Sequence, residues 1–289
     1  MFKKLFGLAP KLEQDGSYSP SKLALKLATS ATTDFENIAY DQYLGNKSKI
    51  LVILTEQKNM EMKNGKLFST GNHPVEALVP MLHLQNAGFE FDIATATGKP
   101  VVFEMWAFPH QDEHVKAIYH KHQADFEQPK SLQQIANDIA ATPAAMAANY
   151  AAVFIAGGHG AMLGLPFDTH VSKVLNWAHG NGLFTISICH GPSALLATTL
   201  DEQPFLYAGY DMAVFPDSVD EMTPKLGYLP GAMPWALNKQ LVSVGANIIN
   251  KKADKTVCID RKLITGASPA ASNELGKLAV KTLLADLTD

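Results

Sequence analysis

From Lys49 onward the apolar positions fall into short continuous runs separated by stretches of helical period. Lys49-Ile-Leu-Val-Ile-Leu54 is a β-branched run of the kind that fills a sheet covered on both faces. Pro74–Ala87 predicts a helix, with Pro74 suited to its first turn and Gly88 to its C-terminal cap. Phe89–Thr95 predicts a second strand, and the three segments make one β-α-β unit. The unit recurs at Ala151–Gly158 with a helix over Val171–His179, and again at Leu183–Ile188 with a helix over Ser193–Leu200. Met212–Phe215, Ala246–Ile249, Thr256–Asp260 and Leu263–Thr265 read as further strands, and a helix over Asn273–Leu284, capped by Ser272, closes the chain. Strands alternating with helices predict an α/β fold, a doubly wound, mostly parallel sheet with helices on both faces.

Two stretches break this alternation. Residues 1–45 are polar without a clean period and predict an extended arm with a short helix around Lys22–Leu27. Residues 99–147 begin rich in aromatics and histidine and then predict helices over Gln111–Ala124 and Leu132–Ala140. Such an insertion ahead of a nucleophile strand suits a lid. The expected division is a core of 46–98 and 148–289, with arm and lid at 1–45 and 99–147. No repeat or low-complexity tract appears.

A chain of 289 residues allows one large domain or two ordinary ones. With 47% hydrophobic and 18% charged residues it reads as an ordinary globular protein. A net charge of -4 and a pI near 6.2, with no Lys/Arg cluster, argue against sequence-specific nucleic-acid binding. Cys189 and Cys258 are too few for a disulfide-stapled fold, which points to a reducing cytoplasm. The opening Met1-Phe-Lys-Lys-Leu-Phe-Gly-Leu-Ala-Pro10 is cut below signal-peptide length, and no later run is long and apolar enough to span a bilayer.

The chemistry concentrates at Phe184-Thr-Ile-Ser-Ile-Cys-His-Gly-Pro-Ser-Ala-Leu-Leu-Ala197, where a strand breaks at Cys-His-Gly-Pro and resumes as a helix. This nucleophile elbow sets Cys189 at a helix N-terminus, whose dipole and free N–H groups favour a thiolate. A free thiol titrates near ~8.5, and such positions bring it to roughly 3.5–7.5. An isolated cysteine is otherwise a small buried hydrophobe, and Cys258 in its strand is read that way. Ligands of open α/β sheets gather beyond the strand ends. There Gly157-Gly-His-Gly160 suits an oxyanion hole or a plain tight turn. Gly71-Asn-His-Pro-Val-Glu76 puts Glu76 in a helix's first turn, as a catalytic acid or a dipole-compensating surface group. Val214-Phe-Pro-Asp217 offers an acid to orient a histidine. The base stays open among His190, His159 and His73. His110, His114, His120 and His122 fit a solvated helix face, with metal binding behind it.

Taken together, Gly71–Glu76, Gly157-Gly-His-Gly-Ala161, Ser187-Ile-Cys-His-Gly-Pro192, Phe215-Pro-Asp217, Gly227-Tyr-Leu-Pro-Gly231 and Asp260-Arg-Lys-Leu-Ile-Thr-Gly266 resemble the ThiJ/PfpI superfamily. Asn64-Gly-Lys-Leu-Phe-Ser-Thr-Gly-Asn-His-Pro74 narrows the resemblance to the bacterial HchA branch, over roughly residues 45–285. That branch is described as heat-inducible chaperone, glyoxalase III, and protein and nucleotide deglycase. The resemblance implies a flavodoxin-like sandwich with a small lid domain, commonly a homodimer. It implies Cys189 as nucleophile, His190 as its partner, Asp217 as third triad member and Glu76 as the acid that bonds the thiol and moves protons. Gly158 and His190 amides, beside His159, would form the oxyanion site. It also implies a metal site at positions matching Gln85, Glu90 and His122, where glutamine in place of histidine leaves weak zinc binding at most. No cofactor is required. The implied partners are small 2-oxoaldehydes, glycated protein or nucleotide groups, and unfolded client proteins. The rival readings are a holdase chaperone without physiological catalysis, and a cysteine peptidase or glutaminase-type amidohydrolase.

Overall fold

The computed structural model describes residues 9–288, so the basic start of the expected arm, residues 1–8, lies outside the described residues. The main sheet is built from β1 (Lys49–Ile53), β2 (Glu90–Thr95), β3 (Lys130–Ser131), β4 (Tyr150–Ile155), β5 (Phe184–Ile188), β6 (Val257–Asp260) and β7 (Leu263–Gly266). Its strand order is β6-β7-β5-β4-β1-β2-β3, with every neighbour parallel except the β6–β7 pair at one edge. The expected doubly wound, mostly parallel sheet is therefore present.

Period-two alternation sends Leu51 and Ile53 of β1 into one core, and Ile50, Val52 and Leu54 into the other. The helices are α1 (Lys22–Ala28), α2 (Pro74–Asn86), α3 (Glu113–Lys121), α4 (Gln123–Glu127), α5 (Leu132–Ala141), α6 (Pro143–Ala147), α7 (Thr169–Gly180), α8 (Asp217–Leu226), α9 (Leu237–Ser243) and α10 (Ser272–Thr288). Apolar faces of α2, α3 and α10 pack with Ile50 and Val52, while those of α5 and α7 pack with Leu51 and Ile53. Each such fully buried aliphatic side chain stabilises by roughly 1.5–3 kcal/mol. Gly276 lets α10 approach α2, since a Cβ there would sit 2.5 Å from the His83 ring.

Four details depart from the sequence-based picture. The helix after β5 is a 3₁₀ segment, Gly191–Glu202, broken at Leu200–Asp201. Met212–Phe215 and Ala246–Ile249 shrink to a two-residue parallel pair, Asp211–Met212 with Asn247–Ile248. Side chains take over the next amides: Ala213 N–H donates to Thr265 Oγ1 and Val214 N–H to Asn250 Oδ1. Ser272 is the first residue of α10 rather than its cap, with its hydroxyl on Pro269 O at 2.8 Å. The helix expected over Gln111–Ala124 divides into α3 and α4 at the non-helical His122.

The arm is tied to the body. Ser21 caps α1 by accepting from Ala24 N–H, Thr33 N–H donates to Asp112 Oδ2 at 2.9 Å, and the Tyr40 hydroxyl meets His83 Nδ1 at 2.8 Å. Residues 99–147 lay β3 on the sheet edge, pack α3 on α2 and α5 on α7, and pair Phe103 in parallel with Asn72. The chain winds from β1 outward through β2 to β3, then returns to β4 on the other side of β1. A crevice opens beyond the C-terminal ends of β1 and β4 at such a switch point. Gly157–His159 follow β4 there, and Cys189 follows the adjacent β5.

Candidate active site

Cys189 has φ +60, the left-handed region that a side chain adopts only under constraint. Holding it there costs on the order of 1–3 kcal/mol. The surrounding sheet imposes it: Cys189 N–H donates to Gly266 O at 2.7 Å and its carbonyl accepts from Phe215 N–H at 3.0 Å. This turn brings two consecutive side chains together, with His190 Nδ1 3.3 Å from Cys189 Sγ. His190 Nε2 lies 2.9 Å from Asp220 Oδ2, and His159 Nε2 lies 2.9 Å from Asp220 Oδ1. The two imidazoles face each other with centroids 4.1 Å apart. A carboxylate only accepts, so each Nε2 carries the proton it donates, and a neutral His190 turns the Nδ1 lone pair to the thiol. Of the three candidate bases, His190 is the one on the sulfur.

Asp217 is not in this array. Its carboxylate accepts from Asn238 N–H at 2.9 Å and Lys239 N–H at 3.0 Å, capping the N-terminus of α9. Asp220, one helical turn further along α8, is the buried acid that meets both histidines. The expected role of Asp217 is thus corrected: the first residue of α8 is used to satisfy orphan amides of the next helix.

Burial sets the charges. The Cys189 thiol is pushed well above its ordinary value, first by burial and then by the Glu76 carboxyl beside it. This reverses the thiolate expectation. Glu76 is itself raised well above a normal carboxyl by burial; the Cys189 thiol and the Gly158 amide only partly offset this. Neither Glu76 oxygen has a hydrogen bond of good geometry. A Cβ on Gly157 would collide with Glu76 Oε2 and the Ile188 carbonyl, so only glycine lets that carboxyl lie beside the elbow. His190 is lowered by burial and by His159, despite Asp220. For His159 burial also opposes the charge, but Asp220 and Glu104 outweigh it and its pKa is raised. His190 and His159, both bonded to its oxygens, hold Asp220 far below the usual carboxylate range despite its burial.

A cavity of about 440 Å³ opens over the sulfur, walled by Glu76, Gly158, His159 and His190. Ala24, Leu27 and Ala28 of α1 and Leu226 of α8 add apolar surface to the wall. Glu104, Tyr228 and His73 line it as well. Burial pushes Glu104 up to about 7 and the Tyr228 phenol well up, and drops His73 to about 3. His73 is neutral, and its buried Nδ1 has no partner. Glu104 and Asp220 were not singled out from the sequence. The signal for Asp220 was the helical spacing Pro216, Asp220, Thr223, Gly227, all buried.

At the implied metal positions the side chains make other contacts, and His122 Nε2 is buried without a partner. Gln85 Oε1 accepts from the Lys121 ammonium at 2.6 Å, so a cation already holds that oxygen. His122 Nδ1 pairs with Asp125 at 2.9 Å, its ring between Phe91 and Phe126, while Glu90 is exposed at the start of β2. Among the described residues the one group of three metal-ligating side chains within 4.8 Å is His159, His190 and Asp220. His110, His114 and His120 lie on the exposed surface. Cys258 is half-buried in β6, with its thiol on Asp211 O at 3.5 Å.

No family model matches the chain. It is 43% identical over 274 residues to the protein/nucleic acid deglycase HchA of Escherichia coli, covering 95% of this chain and 94% of that protein. A second relative of the same name, from Shigella sonnei, is 42% identical over 278 residues, covering 96% of each. The structure superposes on glyoxalase III of Candida albicans with a TM-score of 0.62 at 20% identity, over 82% of this chain and 98% of that one. The fold is shared on that comparison.

Proposed function

The chain belongs to the HchA branch of the ThiJ/PfpI superfamily, and from that membership we propose that it is a cofactor-independent deglycase and glyoxalase III acting through Cys189. The observation that carries the proposal is the buried thiol flanked by Glu76 and His190 at the floor of a small cavity. The relatives act, by name, as protein and nucleic acid deglycases; we extend that to glycated protein and nucleotide groups here.

The mechanism follows from one proton shared between Cys189 and Glu76. Thiolate sulfur adds to the aldehyde carbon of a 2-oxoaldehyde such as methylglyoxal, while Glu76 protonates the oxygen, giving a hemithioacetal. The oxygen lies against the amides of Gly158 and His190, suited to a developing oxyanion. Glu76, now a carboxylate, removes the C1 proton and returns it to C2, leaving a thioester. His190 Nδ1 activates water, which releases lactate and the thiol. In deglycation the sulfur attacks the carbonyl-derived carbon of an early adduct, and the amine leaves. We propose a core of 46–98 and 148–289, with the arm, of which residues 9–45 are described, and the stretch 99–147 laid against it. A holdase role is a second reading, favoured by the exposed Leu23 and Leu27 of α1 beside Met222 and Leu226 of α8. Aggregation suppression that survives Cys189→Ala would support it. Homodimerisation is proposed on the family resemblance, and sedimentation tests it.

The test incubates purified protein with methylglyoxal, without thiol cofactor, beside Cys189→Ala and a chelated sample. Lactate that needs Cys189 and ignores the chelator supports the proposal. No lactate from folded wild type refutes it.

A further inference from the structure

The reaction needs an acid at the second substrate oxygen as well as at the first, and Glu76 is occupied with the first oxygen and the carbon-bound proton. Glu104 enters the cavity from the other wall. It follows Phe103, which pairs with Asn72, and its N–H donates to Asn72 O at 2.9 Å. That register places Glu104 beside His73, on the opposite side of the segment from the Asn72 and Phe103 side chains. Both residues line the cavity with Cys189. Thr70 donates its hydroxyl to Glu104 Oε1 at 2.7 Å, and the Gly71 and His159 amides face the carboxyl. Glu104 makes no ion pair among the described residues, although it is almost fully buried.

We propose that Glu104 is a second catalytic acid, which donates a proton to the substrate oxygen on the carbon adjacent to the one Cys189 attacks. The inference rests on the glyoxalase and deglycase reading. As the C1 proton leaves for Glu76, the new C1–C2 double bond pushes the C2–O π electrons onto that oxygen, which takes the Glu104 proton. The enediol then gains a proton at C2 from Glu76, its C1 hydroxyl loses one as the thioester carbonyl forms, and that proton restores Glu104. Nothing is oxidised or reduced overall. The cavity thereby favours carbonyls with an oxygen on the neighbouring carbon over simple aldehydes. His159, Glu76 and Tyr228 are the titratable groups facing Glu104, with His73 beside it held neutral by burial. Burial holds its proton up to about pH 7, so the acid form is present where the enzyme works.

The experiment measures the pH dependence of kcat and KM for lactate formation in wild type, Glu104→Gln and Thr70→Val, with Cys189→Ala as the blank. Glu104→Gln keeps a hydrogen-bond donor but no transferable proton. Its kcat is expected to fall about 10²-fold or more with KM little changed, and the alkaline limb near neutrality to disappear. Thr70→Val, a near-isosteric change, removes a bond that favours the ionised carboxyl, so the limb moves to higher pH. A Glu104→Gln enzyme with wild-type kcat and an unmoved limb overturns the inference while leaving the thiol chemistry standing. An unmoved limb in Thr70→Val, where Glu104→Gln does not fold, overturns it too. Absence of wild-type lactate removes the reading beneath it.

Discussion

Replacing Asp220 by asparagine tests the charge array at its centre. The carboxylate accepts from two imidazole Nε2–H groups, each at 2.9 Å, and such charge-assisted bonds contribute about 1.5–3 kcal/mol apiece. Asparagine has one acceptor oxygen, so its amide nitrogen must face one of the two rings. If that ring is His190, the imidazole has to accept at Nε2 and carry its proton on Nδ1, which then points an N–H at Sγ. Water activation is lost, and kcat/KM should fall by about 10²–10⁴, the range such tautomer errors produce. Asp217→Ala removes only the cap of α9, about 0.5–2 kcal/mol of stability, and leaves kcat/KM essentially unchanged. Stability carries a second signature. Asp220 is depressed in the fold, so its contribution is present above the unfolded carboxyl value of ~3.9 and lost as pH falls through the folded one. His159 is raised, so its contribution is present below ~6.5 and lost as pH rises through its folded value. Wild type should therefore exceed Asp220→Asn most between about pH 4 and about pH 6.5, and by less above. Thermal melts at several pH values, with lactate assays beside them, read both effects. A larger kinetic loss in Asp217→Ala than in Asp220→Asn, or a stability gap that does not shrink as pH rises above about 6.5, would refute the array.

Three further outcomes follow from the site. Glu76→Gln removes the carboxyl that raises the thiol, so the Cys189 thiolate absorbance should appear at lower pH, while turnover drops by about 10²–10⁴; an unshifted thiol titration would separate the two groups. Gly157→Ala forces Glu76 or the β5 end aside, destabilising by about 1–3 kcal/mol and abolishing lactate formation, which a melt and an assay check together. Ile53→Ala opens a cavity between β1 and the α7 layer and should destabilise by about 2–5 kcal/mol in denaturant melts, with the thiol titration unchanged.

The sheet was readable because each strand of a doubly covered sheet is buried on both sides: Ile50–Ile53 and Tyr150–Ile155 are apolar runs, and Phe184–Ile188 is interrupted only by the small Thr185 and Ser187. The elbow was readable because Cys-His-Gly-Pro ends such a strand. Less was legible where a side chain serves another element. Asp217 and Asp220 are both acids in the first turn of α8, and only the placement of α9, distant in sequence, decides which carboxylate is taken up by orphan amides. Glu104 sits among Val101, Val102, Phe103, Met105 and Trp106. A lone acid in an apolar run is a signal for a buried carboxyl, but its neighbour across the crevice, His159, is set by the fold.

The thiol's proton shows how magnitude decides between two sound arguments. A helix N-terminus favours an anion by about 0.3–1 kcal/mol, up to ~2 in partly buried sites. The segment after Cys189 is a 3₁₀ helix broken after nine residues, at Leu200, so the lower end applies. Full burial shifts a titratable group by up to roughly 3–5 pK units, or about 4–7 kcal/mol. Burial wins, and it acts on Glu76 as well as on Cys189. Two buried groups that each resist ionisation beside the other titrate as a pair. When the pair holds a single proton, an electrophile that takes the sulfur's charge leaves the Glu76 proton next to the oxygen that needs it. The thiol therefore need not be an exposed thiolate to react. It needs a partner that gives up its proton in the same step, and in this cavity that partner is Glu76.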